Sequence, residues 1–231
     1  MVEHLGPSYF SEADFQSIVH AICSFCNHQS ASLRQASAYG IGVIAMNAGA
    51  AFQSCSDLCL TSLKSGIEFA ITPKIQGKKE KMQMYHHARD NAIASIGKVI
   101  KYQTALVQSN PNYQTQLVTY WLSLLPITHD IEEAVAQYEY LADFLFEQPA
   151  FILGADPTSA AQQLAKIFGE AFQEKYTKEM KPEAKLKVAN AVRYLLSGAP
   201  QPVPDAFKAA CENVLAAESR ANIEAAFNFN A

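Results

Sequence analysis

The chain has 231 residues, 49% of them hydrophobic and 17% charged, with a net charge of −4 and a pI near 5.9. An acidic balance argues against a nucleic-acid binder, which carries a basic face, and no run of about 18 apolar residues offers a membrane span. The opening MVEHLGPSYF lacks the basic-then-apolar layout of a secretory signal, so the five cysteines, an odd count, fit reduced thiols in a cytosolic or nuclear compartment.

Helical spacing starts early. Ser11-Glu12-Ala13-Asp14 reads as a capping box in which Asp replaces the usual Glu, and Phe15, Ile18, Val19, Ile22 and Phe25 follow at the steps of one helix face. The next segment, RQASAYGIGVIA (Arg34 to Ala45), has the composition of a helix yet carries Gly40 and Gly42 in its interior. Each interior glycine costs roughly 1 kcal/mol relative to alanine. Gly40 to Ala45 formally matches the G-x-G-x-x-A pattern of dinucleotide sites. That pattern needs a strand before it and a helix opening at the glycines. Leu33 to Ala38 are helix formers instead, so no nucleotide site is expected.

Cys23 and Cys26 precede this segment, and Cys55 and Cys59 follow it. Four thiolates could bind zinc, but structural zinc cysteines sit in turns. Both pairs here fall in apolar helical stretches and read as buried free thiols packed as small hydrophobes. Thr72 to Gln83, TPKIQGKKEKMQ, is the longest polar link; its GKKEK core matches a nuclear-targeting patch, though a solvated loop is the better reading. Beyond it, ARDNAIASIGKVI (Ala88 to Ile100) aligns with the earlier segment, placing Arg89 on Arg34, Ile96 on Ile41 and Gly97 on Gly42. His86 and His87 are adjacent, about 100° apart on a helix, and make a poor ligand pair.

The single Trp, Trp121, falls in a helix expected to begin near Tyr113 and reads as core. Asp130 with Glu132 and Glu133 forms an N-cap followed by first-turn acids, ahead of a face made by Ile131, Ala134, Val135, Tyr138, Leu141, Ala142 and Leu145. Asp156-Pro157 sets an acid at the cap and proline at the first helical position, before Leu164, Phe168, Ala171 and Phe172. Pro182 opens a helix the same way, ahead of Val188, Ala191, Val192, Leu195 and Leu196. EEAVAQYEYLADFL and EAKLKVANAVRYLL echo the repeated segment more loosely.

About ten helices result, in pairs that recur every 40–50 residues or so, as in HEAT or armadillo arrays. The expected fold is an all-α right-handed solenoid, an α-α superhelix of about five HEAT-type helix pairs over residues 1–231 as one segment. Gly40, Gly42 and Gly97 then mark packed faces where a neighbouring helix comes close, and the packing gained offsets the propensity lost.

RQASAYGIGVIA, NAIASIGKVIKY, YWLSLLPITHDIEEAV, YLADFL and ILGAD occur in this order and resemble the last HEAT repeats of the importin-β (karyopherin-β) family. WLSLLP followed by DIEEAV is the most specific part. The stretch His86 to Arg89 and the C-terminal FKAACENVLAAESRANIEAAFNFN depart from the family pattern. The resemblance implies a C-terminal piece of a much longer nuclear transport receptor, with Met1 not its natural start. Implied partners are cargo proteins with basic signals, the Ran GTPase through repeats lying upstream, and nucleoporins; neither nucleic acid nor membrane is expected. The receptor would shuttle between cytoplasm and nucleus, by binding and not by catalysis.

In such an array the inner helices line a concave surface, where acids and amides accept hydrogen bonds from Lys and Arg of an extended peptide. Asp90, Asn91, Glu132, Glu139 and Asp143 are the candidates. No catalytic residue, cofactor site or metal site is expected. An interior repeat stripped of its neighbour exposes an apolar face, so the helix around Phe15 to Phe25 is expected to self-associate. The rival reading is a generic HEAT scaffold outside transport.

Overall fold

A computed structural model describes residues 10–72 and 76–229, so His4 and residues 73–75 of the polar link lie outside it. Thirteen α-helices and no strand are found among the described residues. The fold is all-α, as the spacing predicts. The chain falls into two compact units, Met1–Tyr113 and Gln114–Ala231.

The first unit holds α1 (Glu12–Ser24), α2 (Ala31–Asn47), a 3-10 stretch (Gly49–Cys55), α3 (Ser56–Ile67), α4 (Lys79–Tyr102) and the short α5 (Thr104–Gln108). Ser11 starts α1: its Oγ accepts the Asp14 N–H at 3.1 Å and donates to the Asp14 carboxylate at 2.7 Å. Alternate helices stack, α1 on α3 and α2 along α4. That is how helix-pair repeats bury their faces. The two aligned segments, Arg34–Ala45 and Ala88–Ile100, therefore lie on packed neighbours. Two hydrogen bonds tie α4 and its C-cap to α2 about two turns apart: Ser95 Oγ donates to Ala38 O at 2.7 Å and Gln103 Nε2 to Ala45 O at 2.6 Å. Gly42 sits between these anchor points.

Two expectations for this unit are corrected. The buried face of α1 is Phe15, Val19 and Cys23; just past its end Cys26 is buried, while Phe25, expected on that face, is 42% exposed. The helix ends at Ser24, and the turn that follows brings the Cys26 backbone against α3, where a Cβ on Gly66 would stand 3.0 Å from the Cys26 carbonyl oxygen. The polar link is also shorter than expected, because α4 already begins at Lys79.

The second unit follows from α6 (Pro111–Leu124), which carries the boundary, through α7 (Ile131–Glu147), α8 (Pro149–Leu153), α9 (Pro157–Ala171), α10 (Glu174–Thr177) and α11 (Pro182–Arg193). A π-type turn (Tyr194–Gly198), α12 (Val203–Asn213) and α13 (Ala217–Asn228) complete it. The caps read from sequence are in place: Asp130 accepts the Glu133 N–H, Asp156 accepts the Ser159 N–H, and Pro157 and Pro182 occupy first-turn positions. Again alternate helices stack, α9 on α12 and α7 on α11 on α13. Trp121 is wholly buried beside Tyr140, and the Tyr138 and Tyr176 hydroxyls converge on the buried carbonyl of Ile127 at 2.5 and 3.1 Å.

Candidate interaction surfaces

In the first unit Arg34 is the most heavily buried cation, 2% exposed. Its Nη1 donates to the carbonyls of His28 (2.7 Å) and Gln29 (3.2 Å), which close the turn after α1. Its guanidinium lies 3.8 Å from the centroid of Phe69, and the Tyr85 hydroxyl donates to Phe69 O at 2.9 Å. Burial holds Arg34 below its ordinary pKa, but carbonyl oxygens and the ring face accept its charge without a carboxylate. Arg34 therefore ties the α1–α2 turn to Phe69 and to Tyr85 of α4.

Asp90 and Asn91 are each 3% exposed, and Asn91 Nδ2 donates to His87 O at 3.0 Å within its own helix. Neither side chain is offered to a peptide. What this unit shows to solvent along α2 and α4 is different: Tyr39, Met46, Lys101 and Tyr102 are exposed, with Lys98 half-buried. Lys98 Nζ lies 5.2 Å from the Tyr39 ring centroid and Lys101 Nζ 5.3 Å from that of Tyr102. This strip is basic and aromatic. Sequence reading missed it because it weighed acids alone.

In the second unit Glu132 is exposed at the start of α7. Glu139 and Asp143, one turn apart on α7, both grip Lys187 of α11 at 2.8 Å. The two carboxylates lift the Lys187 ammonium above its ordinary pKa. These two acids therefore join two helices. A groove of about 410 Å³ lies against α12 and α13, with Lys208, Glu212, Arg220 and Glu224 around the apolar Ile223 and Phe227. Its charges alternate in sign, so it offers no single-signed field to an ionic ligand.

Gly40 and Gly42 occupy close approaches. A Cβ on Gly42 would lie 2.6 Å from Ser95 Oγ and 2.9 Å from Lys98 Cδ; on Gly40 it would lie 3.3 Å from Ile22 Cγ2. Gly97 is buried on α4. Sequence reading missed Gly169 of α9, where a Cβ would meet Ser219 Cβ of α13 at 3.0 Å. Asn222 Nδ2 donates to the Gly169 carbonyl at 2.9 Å across the same contact. Only the placement of Gly169 on a face shared with buried Ala165 and Leu164 hinted at it.

All four cysteines of the first unit are buried free thiols. Cys23 and Cys59 lie Sγ to Sγ at 3.9 Å, whereas Cys26 turns to Ser37 Oγ at 3.1 Å. Among the described residues no group of three or more His, Cys, Asp or Glu side chains is arranged to hold a metal ion. No helix there is long and apolar enough to cross a membrane. No protein-family model matches the chain.

Proposed function

We propose that this chain is a binding segment of a HEAT-type nuclear transport receptor similar to the importin-β family, which carries cargo proteins between cytoplasm and nucleus and releases them under Ran control. One observation carries the reading. The two segments that repeat in sequence lie on helices that pack directly on each other, α2 and α4, as successive repeats of an array do. The family resemblance of the motifs along α2, α4, α6 and α7 supplies the transport role. Such arrays bend at modest cost because each repeat touches only its neighbours, which suits a carrier that must both wrap and release its cargo.

A second reading rests on the exposed strip of α2 and α4. Tyr39, Lys98, Lys101 and Tyr102 suit an acidic or aromatic-rich partner better than a basic signal. On that reading the chain is a HEAT scaffold that joins other proteins. Fluorescence anisotropy on the full-length receptor, with a lysine-rich signal peptide and an acidic peptide of equal length, with and without Ran-GTP, separates the two. A receptor of this kind binds the basic peptide and loses it on adding Ran-GTP. Binding confined to the acidic peptide, unchanged by Ran-GTP and abolished by Tyr39→Ala with Lys98→Ala, would replace transport by scaffolding.

A further inference from the structure

The first unit contains three cysteines at one helix contact. Cys23 lies on the buried face of α1 (5% exposed), Cys59 on the facing side of α3 (0%), and Cys55 one turn before Cys59 (3%). The Cys23 and Cys59 sulfurs are 3.9 Å apart and come from positions 36 residues apart in the chain. We propose that Cys23 and Cys59 are an oxidisable thiol pair, converted by a hydroperoxide such as hydrogen peroxide into an intramolecular disulfide that staples α1 to α3.

The geometry is close to what the bond requires. A disulfide needs its sulfurs at about 2.05 Å, so the pair must close by roughly 1.9 Å, which side-chain rotation and a small helix shift can share. The helices are already held together nearby: α3 approaches α1 so tightly at Gly66 that a Cβ there would stand 3.0 Å from Cys26 O. Cys26 does not compete for Cys59. It is engaged with Ser37, and burial pushes its thiol up to about 11.

The roles of the two thiols differ. As a thiolate, Cys23 receives a hydrogen bond from the Cys59 thiol, which holds it below its ordinary pKa against the effect of burial, with Ser62 adding a second bond. Cys59 is raised, because its one S–H proton serves a Cys23 or a Cys55 thiolate and it is itself buried; the same bond lowers Cys55, and the 3.9 Å approach of Cys23 is what pairs it with Cys59. Thiolate character decides which sulfur attacks. Cys23 thiolate attacks one peroxide oxygen and the O–O bond breaks, giving Cys23 sulfenic acid and hydroxide, which the released thiol proton turns into water. The Cys59 sulfur then attacks the Cys23 sulfur, the S–O bond breaks, and the departing hydroxide takes the Cys59 proton as a second water. Two thiols lose two electrons and one peroxide is reduced to two waters.

The test is a peroxide titration of the folded chain, with circular dichroism confirming that it stays folded. Free thiols are counted after denaturing quench, and a non-reducing peptide map follows. Two of the five thiols should be lost at one equivalent of peroxide, with the mass of two hydrogens. The map should join the peptide containing Cys23 to that containing Cys59. The oxidised chain should unfold at higher urea, and a thiol reductant should reverse the change. Cys55→Ala and Cys211→Ala should keep the cross-link. Cys59→Ala should leave a Cys23 sulfenic acid that a cyclic diketone traps. A cross-link joining Cys55 to Cys59, reaction confined to Cys211, or thiols that survive until the chain unfolds would overturn the proposal. Each of these outcomes is read on the wild-type chain, whether or not a variant folds.

Discussion

Replacing Gly42 by alanine adds one methyl group at the tightest described point between α2 and α4. Intrinsic propensity favours the change by about 1 kcal/mol, because an interior helical glycine is replaced by the best helix former. Packing opposes it. The new Cβ would stand 2.9 Å from Lys98 Cδ and 2.6 Å from Ser95 Oγ. Lys98 is the end of a flexible chain and can move at little cost. Ser95 cannot move without giving up its bond to Ala38 O, about 1 kcal/mol, and neighbours in a filled contact add about 1–3 kcal/mol of overpacking. Packing wins, and Gly42→Ala should lose a net ~1–3 kcal/mol; Gly42→Leu should lose more. The assay is urea unfolding followed by far-ultraviolet circular dichroism, since the only Trp lies in the other unit. Ser95→Ala supplies the control: with the hydroxyl gone, the nearest atom of residue 95 is Cβ at 3.4 Å, ordinary contact. The double variant should therefore be at least as stable as Ser95→Ala alone, a favourable coupling on the order of 1 kcal/mol. If Gly42→Ala raises stability by its full propensity gain, the close-approach account of this glycine is wrong.

Gly169→Ala should destabilise the second unit by about 1–3 kcal/mol, because backbone and Cβ atoms of Ser219 stand in the way; Trp121 fluorescence during urea unfolding reads the loss. Arg34→Lys should cost about 2–3 kcal/mol by circular dichroism, since an ammonium keeps neither the paired carbonyl bonds nor the stack on Phe69. Lys187→Met should cost at most about 1 kcal/mol, as lysine and both acids are 36–40% exposed in their side chains, and salt should shrink the difference. Because the folded-state pKa of Lys187 is raised, that contribution is fully present below its ordinary value of 10.5 and is lost as pH rises through the higher folded value. The stability gap between wild type and Lys187→Met measured across alkaline pH should follow this course, and a gap that vanishes below 10.5 would contradict it.

What the sequence made legible was whatever depends on one helix at a time. Ser11, Asp130 and Asp156 cap because a short oxygen acceptor beside the first free N–H groups needs no tertiary partner, and Pro157 and Pro182 open helices for the same local reason. Hydrophobic spacing also found most of the buried faces. It failed where burial is decided by how near the next helix comes. Just past the end of α1 the larger Phe25 is turned out and the smaller Cys26 in, where the backbone comes close to Gly66 of α3. The tightest contacts repeat that rule: Gly42 on Ser95, Gly66 on Cys26, Gly169 on Ser219 and Cys23 on Cys59 each match small residues across a helix pair. A hydropathy pattern treats such residues as neutral, so it does not register them. The internal repeat registered Gly42 and Gly97, since recurrence at a fixed spacing reveals a constraint that composition hides. The acidic candidates show the complementary limit. Asp90, Glu139 and Asp143 have the charge that peptide recognition needs, but burial of the first and the reach of Lys187 to the other two depend on where neighbouring helices place their side chains. A charge read from a single helix does not say whether its partner lies in solvent or on the next turn of the array. That difference separates a binding face from a structural tie.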